Sequence, residues 1–198
     1  MKYYSDRMNR LVTQLSMLPG IGQKTAERLA YHIVKLPKER SAALAEAIRD
    51  ASENVSCCKT CFATSDEDTC PVCRSQNRNH RVIMVVENDD DMAQMERSGA
   101  YDGVYHVLQG AIDIAKGIGP NDIRLKELML RLREDVDEII LATSSSVEGE
   151  TTATYISRLV KPLGIKVTQL ASGIPIGADL QSVDSATLTR AFRNRGEL

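Results

Sequence analysis

The chain has 198 residues, 42% apolar and 26% charged, with no Trp and 4% aromatics. That is the ordinary make-up of a soluble globular protein, and without Trp its cores must come from Leu, Ile, Val, Met and Ala. The net charge of −2 conceals an asymmetry: residues 1–54 carry nine Lys/Arg against six Asp/Glu, and residues 81–198 carry thirteen against eighteen. An anionic partner is therefore expected at the N-terminal end only.

The start, MKYYSDRMNR, lacks the apolar stretch of a signal peptide, and no apolar run is long enough to span a bilayer. A cytosolic chain with reduced thiols is the expectation. Residues 5–17 predict a helix with Met8, Leu11, Val12 and Leu15 on one face. Leu18-Pro19-Gly20-Ile21-Gly22 reads as a turn. A second helix starts near Gln23, carries Ala26, Leu29, Ala30 and Ile33, and stops at Pro37. A third, over 40–53, has Leu44, Ala47 and Ile48 as its apolar side. Three helices this short cannot bury a large core, so this part should lean on a neighbour.

Beyond the cysteines, Val82–Val86 reads as a strand buried on both faces. A helix is expected over 92–99, a strand over 104–108, a helix over 123–134 and a strand over 138–143. A helix over 151–161 and a strand over 166–171 complete the pattern. The alternation predicts a mostly parallel α/β sheet covered on both faces. Functional groups of such sheets lie past the strand carboxyl ends, where Glu87 and the loop Glu148-Gly149-Glu150 fall.

Three motifs carry chemistry. Cys58, Cys61, Cys70 and Cys73 follow C-x2-C-x8-C-x2-C. Each short spacer lets one turn present two sulfurs, and four thiolates make a closed structural zinc site with no open catalytic position. The alternatives are redox CxxC pairs or buried thiols; Cys57 is left out of the ligand set. The second motif is LPGIGQKTA, in which Gly20 and Gly22 permit a tight connection between helices. Free N–H groups at the following helix start can hold a phosphate, and Lys24 and Arg28 share a face. The bland reading is an ordinary helical hairpin. The third motif is acidic: Glu87, Glu148 and Glu150 at adjacent strand ends could share magnesium, or form a solvated rim. Asp89–Asp91 reads as a loop or a helix start. His32, His80 and His106 form no triad, and Gly117-Ile118-Gly119-Pro120 is not a phosphate-binding P-loop.

The order of these motifs resembles one family, the bacterial recombination mediator RecR. The resemblance covers essentially the whole chain and rests on LPGIGQKTAERLA, the four cysteines, VVE at 85–87, YHVLQGAI, GIGPNDI, EIILAT with the following EGE, and GIPIGADL. It implies a helix-hairpin-helix over 1–54, a C4 zinc finger over 55–78, a Toprim domain over 79–171, and a Walker-B-like segment with a helical oligomerisation tail over 172–198. It implies a non-enzymatic repair protein, cytoplasmic and nucleoid-associated, that forms a dimeric or tetrameric ring on single- or double-stranded DNA. With RecO and RecF, it would help load recombinase. By position, Lys24 and Arg28 match the DNA-contacting bases, and Glu87, Glu148 and Glu150 match the Toprim acids.

The chain departs from the family pattern at Thr143-Ser144-Ser145, Ile112-Asp113-Ile114, Ser172-Gly173 and Gly177-Ala178. It also has Glu148-x-Glu150 where catalytic Toprim sites carry Asp-x-Asp, which suits binding better than cutting. A magnesium-dependent Toprim nuclease or phosphotransferase is the alternative activity, and a pure protein scaffold is the third. The zinc knuckle is expected to act as a joint between the hairpin and the acidic domain.

Overall fold

The computed structural model describes residues 5–132, 135–171 and 173–195. These form two compact units, Met1–Val55 and Ser56–Leu198.

In the first unit, α1 (Asp6–Ser16) starts at Ser5, whose hydroxyl accepts the Met8 N–H at 3.3 Å. This is a serine N-cap. The turn to α2 (Gln23–Lys35) is closed by the Ile21 N–H donating to the Leu18 carbonyl at 3.1 Å. Pro19 leads that turn, and Gly20 sits at φ +78°. Such a type II turn needs a positive φ at its third residue, which glycine adopts without strain. Val12, Ala26 and Ala30 are buried between the two helices, with Met8, Leu11, Leu15 and Ile21 packed on them. The small Ala pair lets α1 approach α2 closely. The third helix, α3 (Lys38–Asn54), buries no residue. It is tied to α2 by the Ser41 hydroxyl donating to the Ile33 carbonyl at 3.0 Å. Leu44 and Ile48 stay exposed, so the apolar side read from sequence has no cover within this unit.

The second unit begins with a ribbon of β1 (Ser56–Cys57) and β2 (Thr64–Ser65), antiparallel, followed by the short α4 (Pro71–Arg74). A four-stranded parallel sheet comes next, in the order β4-β3-β5-β6, with β3 Asn79–Val86, β4 Gly103–Val107, β5 Glu138–Leu141 and β6 Lys166–Gln169. Helices α5 (Asp89–Ser98), α6 (Leu125–Arg131) and α7 (Val147–Val160) make the crossovers, and α8 (Ser185–Arg193) follows the sheet.

Successive strand residues point to opposite faces, and both faces are apolar. Ile83, Val85, Val104, Ile139 and Leu141 pack against Leu125, Leu128, Ala153, Ile156 and Val160 of α6 and α7. Met84, Val86, Tyr105 and Val107 pack on the other face against Met92 and Met95 of α5 and against the cysteines themselves. The knuckle thus does the work of a covering helix. It also meets the outer edge of β4, where the Val107 N–H donates to the Cys61 carbonyl at 2.8 Å. Arg131 Nη1 donates to the Tyr105 carbonyl on the same edge at 2.5 Å.

The structure differs from the sequence reading in places. α7 begins about one turn earlier than residue 151, because Ser146 caps it by accepting the Gly149 N–H at 3.1 Å. Glu148 and Glu150 are therefore in its first turn, not in a loop. β3 extends back to Asn79 with a register shift before Ile83, and α5 starts at Asp89. α6 is shorter than expected, and the part of that reading on residues 133–134, like the departure at Ser172, lies outside the described residues.

Candidate metal centre and nucleic-acid interface

The cysteine site is built from two turns. After β1, the Phe62 N–H donates to the Cys58 carbonyl at 2.9 Å, and the Cys58 N–H donates to the Ala63 carbonyl at 2.7 Å. Phe62 takes φ +65°, unusual for a residue with a side chain. Its ring meets His106 edge-on at 5.5 Å, and Arg124 lies over it at 5.3 Å. After β2, Cys70 caps α4 and Pro71 opens the helix. The Thr60 and Cys70 N–H groups donate to Cys58 Sγ at 3.4 and 3.3 Å, and the Cys73 N–H donates to Cys70 Sγ at 3.5 Å. All four sulfurs lie within 4.8 Å of one another. Three of these cysteines are buried and Cys73 is half-buried, whereas Cys57 is exposed and outside the group.

Burial pushes the Cys58 thiol up, but N–H groups from Cys70, Cys61 and Thr60 outweigh it and bring the group down to about 6. Cys61 is pushed up, first by its bond to Cys73 and then by burial. Burial drives Cys70 up to about 11, against the pull of the Cys73 N–H. The N–H groups thus favour a thiolate at Cys58, while Cys61 and Cys70 are held toward the protonated thiol by burial and by their neighbouring cysteines. Soft thiolates with amide N–H support fit a zinc ion.

The knuckle is latched to the sheet by residues that sequence reasoning missed. Asp89 Oδ1 accepts the Thr64 N–H at 2.5 Å, while Gln109 Nε2 donates to Asp89 Oδ2 at 3.0 Å and to the Phe62 carbonyl at 2.9 Å. Gln109 is itself at φ +57°. No local pattern announces contacts so distant in sequence.

At the hairpin, Gly22 is the N-cap of α2 and has no side chain to bond the free N–H groups of the first turn. A Cβ at Gly20 or Gly22 would meet nothing within 4 Å, so both glycines leave the helix start open. Lys24 and Arg28 are exposed along the same helix. Gln23 Nε2 donates to Glu27 Oε1 at 3.1 Å beside them.

The three acids do not converge. Glu87 Oε1 accepts the Ser144 N–H at 2.7 Å, tying the ends of β3 and β5. Gly149 makes this possible: a Cβ there would come within 2.2 Å of the Ser144 carbonyl and 2.8 Å of Glu87 Oε1. Glu150 accepts from Gln169 Nε2 at 3.2 Å and pairs with Arg190 of α8. Glu148, at the start of α7, is held below its usual range by its own N–H and by Ser146. Among the described residues, the cysteines form a metal-competent group and these carboxylates do not. Nothing in the arrangement points to magnesium. Asp89, Asp90 and Asp91 form the first turn of α5, where Asp91 accepts the Asn88 N–H at 3.2 Å. His32 is exposed, His80 bonds the Ser75 carbonyl at 2.8 Å, and His106 is buried.

Comparison with known proteins decides the relationship. The chain is 48% identical over 194 residues to the Recombination protein RecR of Carboxydothermus hydrogenoformans, covering 98% of either chain. The same identity over 194 residues and 98% of either chain holds for that of Myxococcus xanthus. For that of Trichlorobacter lovleyi it is 48% over 199 residues, with both chains covered in full. The chain belongs to the RecR family. The RecR helix-hairpin-helix model matches residues 8–52, the Toprim domain 81–171, and the RecR C-terminal model 173–195. In this RecR family member the four-cysteine cluster lies between the first two matches. No helix among the described residues is long and apolar enough to cross a membrane.

Proposed function

We propose that this protein is a cytoplasmic, nucleoid-associated DNA-binding mediator of recombinational repair, acting as a ring-like homo-oligomeric clamp without turnover. The carrying observation is the open start of α2 behind Gly22, with Lys24 and Arg28 exposed beside it. Bare N–H groups and two cations suit phosphates of any sequence, on single or double strands. RecO and RecF are the proposed protein partners, and loading of recombinase on gapped or single-stranded DNA is the outcome. Residues 1–54 would grip DNA, 55–78 bind zinc, 79–171 form the Toprim domain and 172–198 serve assembly. Glu87, Glu148 and Glu150 would place loops and α8 for partner contact; their separate protein partners give phosphoryl transfer no support.

Cys58, Cys61, Cys70 and Cys73 would hold zinc. When bound, zinc neutralises the thiolates and adds binding free energy to folding. Fluorescence anisotropy of labelled single- and double-stranded oligonucleotides across a salt series tests the DNA reading. Lys24→Ala/Arg28→Ala should weaken binding and flatten the log–log salt slope by about two. Wild-type affinity in that variant would remove the hairpin from the DNA contact.

A further inference from the structure

Among the described residues, the sheet has one margin left uncovered, since Cys61 and Arg131 bond the outer edge of β4. β6 is its last strand, and among the described residues no strand pairs with its outer side. The Lys166 N–H donates inward to the Asp137 carbonyl and the Leu170 N–H to the Leu141 carbonyl, both at 3.1 Å. Backbone alternation then turns the amides of Val167 and Gln169 outward. Beside this edge runs a groove of about 400 Å³ between α7 and β6. Its floor is Leu141, Ala153 and Val167. Its other wall carries Thr154, Ser157 and Arg158 of α7 and Lys161 at that helix's C-cap, which recur at helical spacing. Arg158 and Lys161 are exposed, and neither has a carboxylate partner among the described residues. Several other cations of this unit are ion-paired, Arg78 with Glu96, Arg81 with Asp137, Lys166 with Glu138 and Arg190 with Glu150, and the two nearest the groove, Lys166 and Arg190, are among them.

From these observations we infer that the β6 edge and its groove form a docking site for an extended acidic peptide of another protein. The peptide adds a strand outside β6 through the Val167 and Gln169 amides. Alternate side chains then fall on the apolar floor, and its carboxylates reach Arg158 and Lys161. Charge decides the class of occupant. Two free cations on a segment with an acidic excess are few for a polyanionic DNA strand, while an edge strand offers main-chain bonds that only a peptide uses.

The probe is a fluorescein-labelled peptide alternating Asp and Ile, compared with a Lys–Ile peptide and a single-stranded oligonucleotide by anisotropy on the full-length protein. The Asp–Ile peptide should bind and the Lys–Ile peptide should not. Arg158→Glu/Lys161→Glu should weaken binding about tenfold or more, since two charges are reversed rather than removed. Hydrogen exchange should slow at Val167 and Gln169 when the peptide is added. Circular dichroism checks that the variant is folded, and Arg158→Gln/Lys161→Gln should give a smaller loss of the same sign. Equal peptide binding by the wild type and the reversed variant overturns the site, as does protection that spares β6. Loss of oligonucleotide rather than peptide binding assigns the cations to DNA and overturns it too. A smaller assembly mass in the reversed variant gives the surface to a second copy, with the same consequence.

Discussion

His106 sets a pH limit on the fold that can be measured against a single substitution. The residue is fully buried on β4, with Nε2 on the Arg124 carbonyl at 2.7 Å. Its Nδ1 is buried with no partner among the described residues. Burial drives its pKa from 6.5 down to about 4; nearby Arg131 adds to this, while the Arg124 carbonyl and Glu127 pull the other way. The unfolded chain takes up this proton near 6.5 and the folded chain only near 4. Stability is therefore intact above 6.5 and is lost as pH falls toward 4. At about 1.4 kcal/mol per pH unit, the loss is about 3 kcal/mol. Denaturant unfolding at stepwise pH reads it, with His106→Gln as the reference. Gln keeps an N–H for the Arg124 carbonyl but cannot titrate. The thiolate set is the same in both proteins, so acid loss of metal cancels in the difference. The variant should start about 1 kcal/mol less stable and then lose less than the wild type across the window. Parallel decline of the two would refute the reasoning.

Other outcomes follow from the same geometry. Gly149→Ala should cost about 1–3 kcal/mol by thermal melting, because the added methyl strikes the Ser144 backbone and cannot be absorbed. Cys70→Ser should abolish stoichiometric zinc in a metal-release assay and lower the melting temperature, whereas Cys57→Ser should retain both. Chelation of the wild type should destabilise the sheet unit itself, since Cys58, Cys61 and Cys70 belong to its apolar cluster; an unchanged melt would contradict this. Arg78→Ala should cost about 1–2 kcal/mol in denaturant unfolding by leaving Glu96 half-buried beside Tyr105 without its cation.

The parts legible in the sequence are those that repeat locally. Val82–Val86 announced a doubly covered strand because both faces of β3 meet apolar layers. The cysteine spacing announced the cluster because short turns alone can bring its pairs together. The start of α7 was missed because Glu148-Gly149-Glu150 looks like a loop, and Gly149 is there for the space it leaves Ser144 and Glu87, residues distant along the chain. For the acids the sequence leaves two readings open, a shared magnesium site or a solvated rim, because it shows only that their strands are adjacent. Adjacency fixes backbones and not side chains: Ser144 claims Glu87, and Arg190 claims Glu150. The expectation that the knuckle is a joint fixing the angle between its flanks rests on sequence order alone. Its burial against Met84, Tyr105 and Val107 makes it part of the sheet's own core.

The cover over β4 also determines how the sheet can grow. Cys61 and Arg131 occupy the outward amide of Val107 and the outward carbonyl of Tyr105. A sheet with two open margins can extend without limit by stacking copies edge to edge. One that is stopped at β4 can accept a strand only at β6 and then has nothing left to offer. The metal site is in this sense an end-stop. With a strand docked at β6 as proposed, the protein would recruit through its backbone once, and the covered β4 edge would be denied to fibrils.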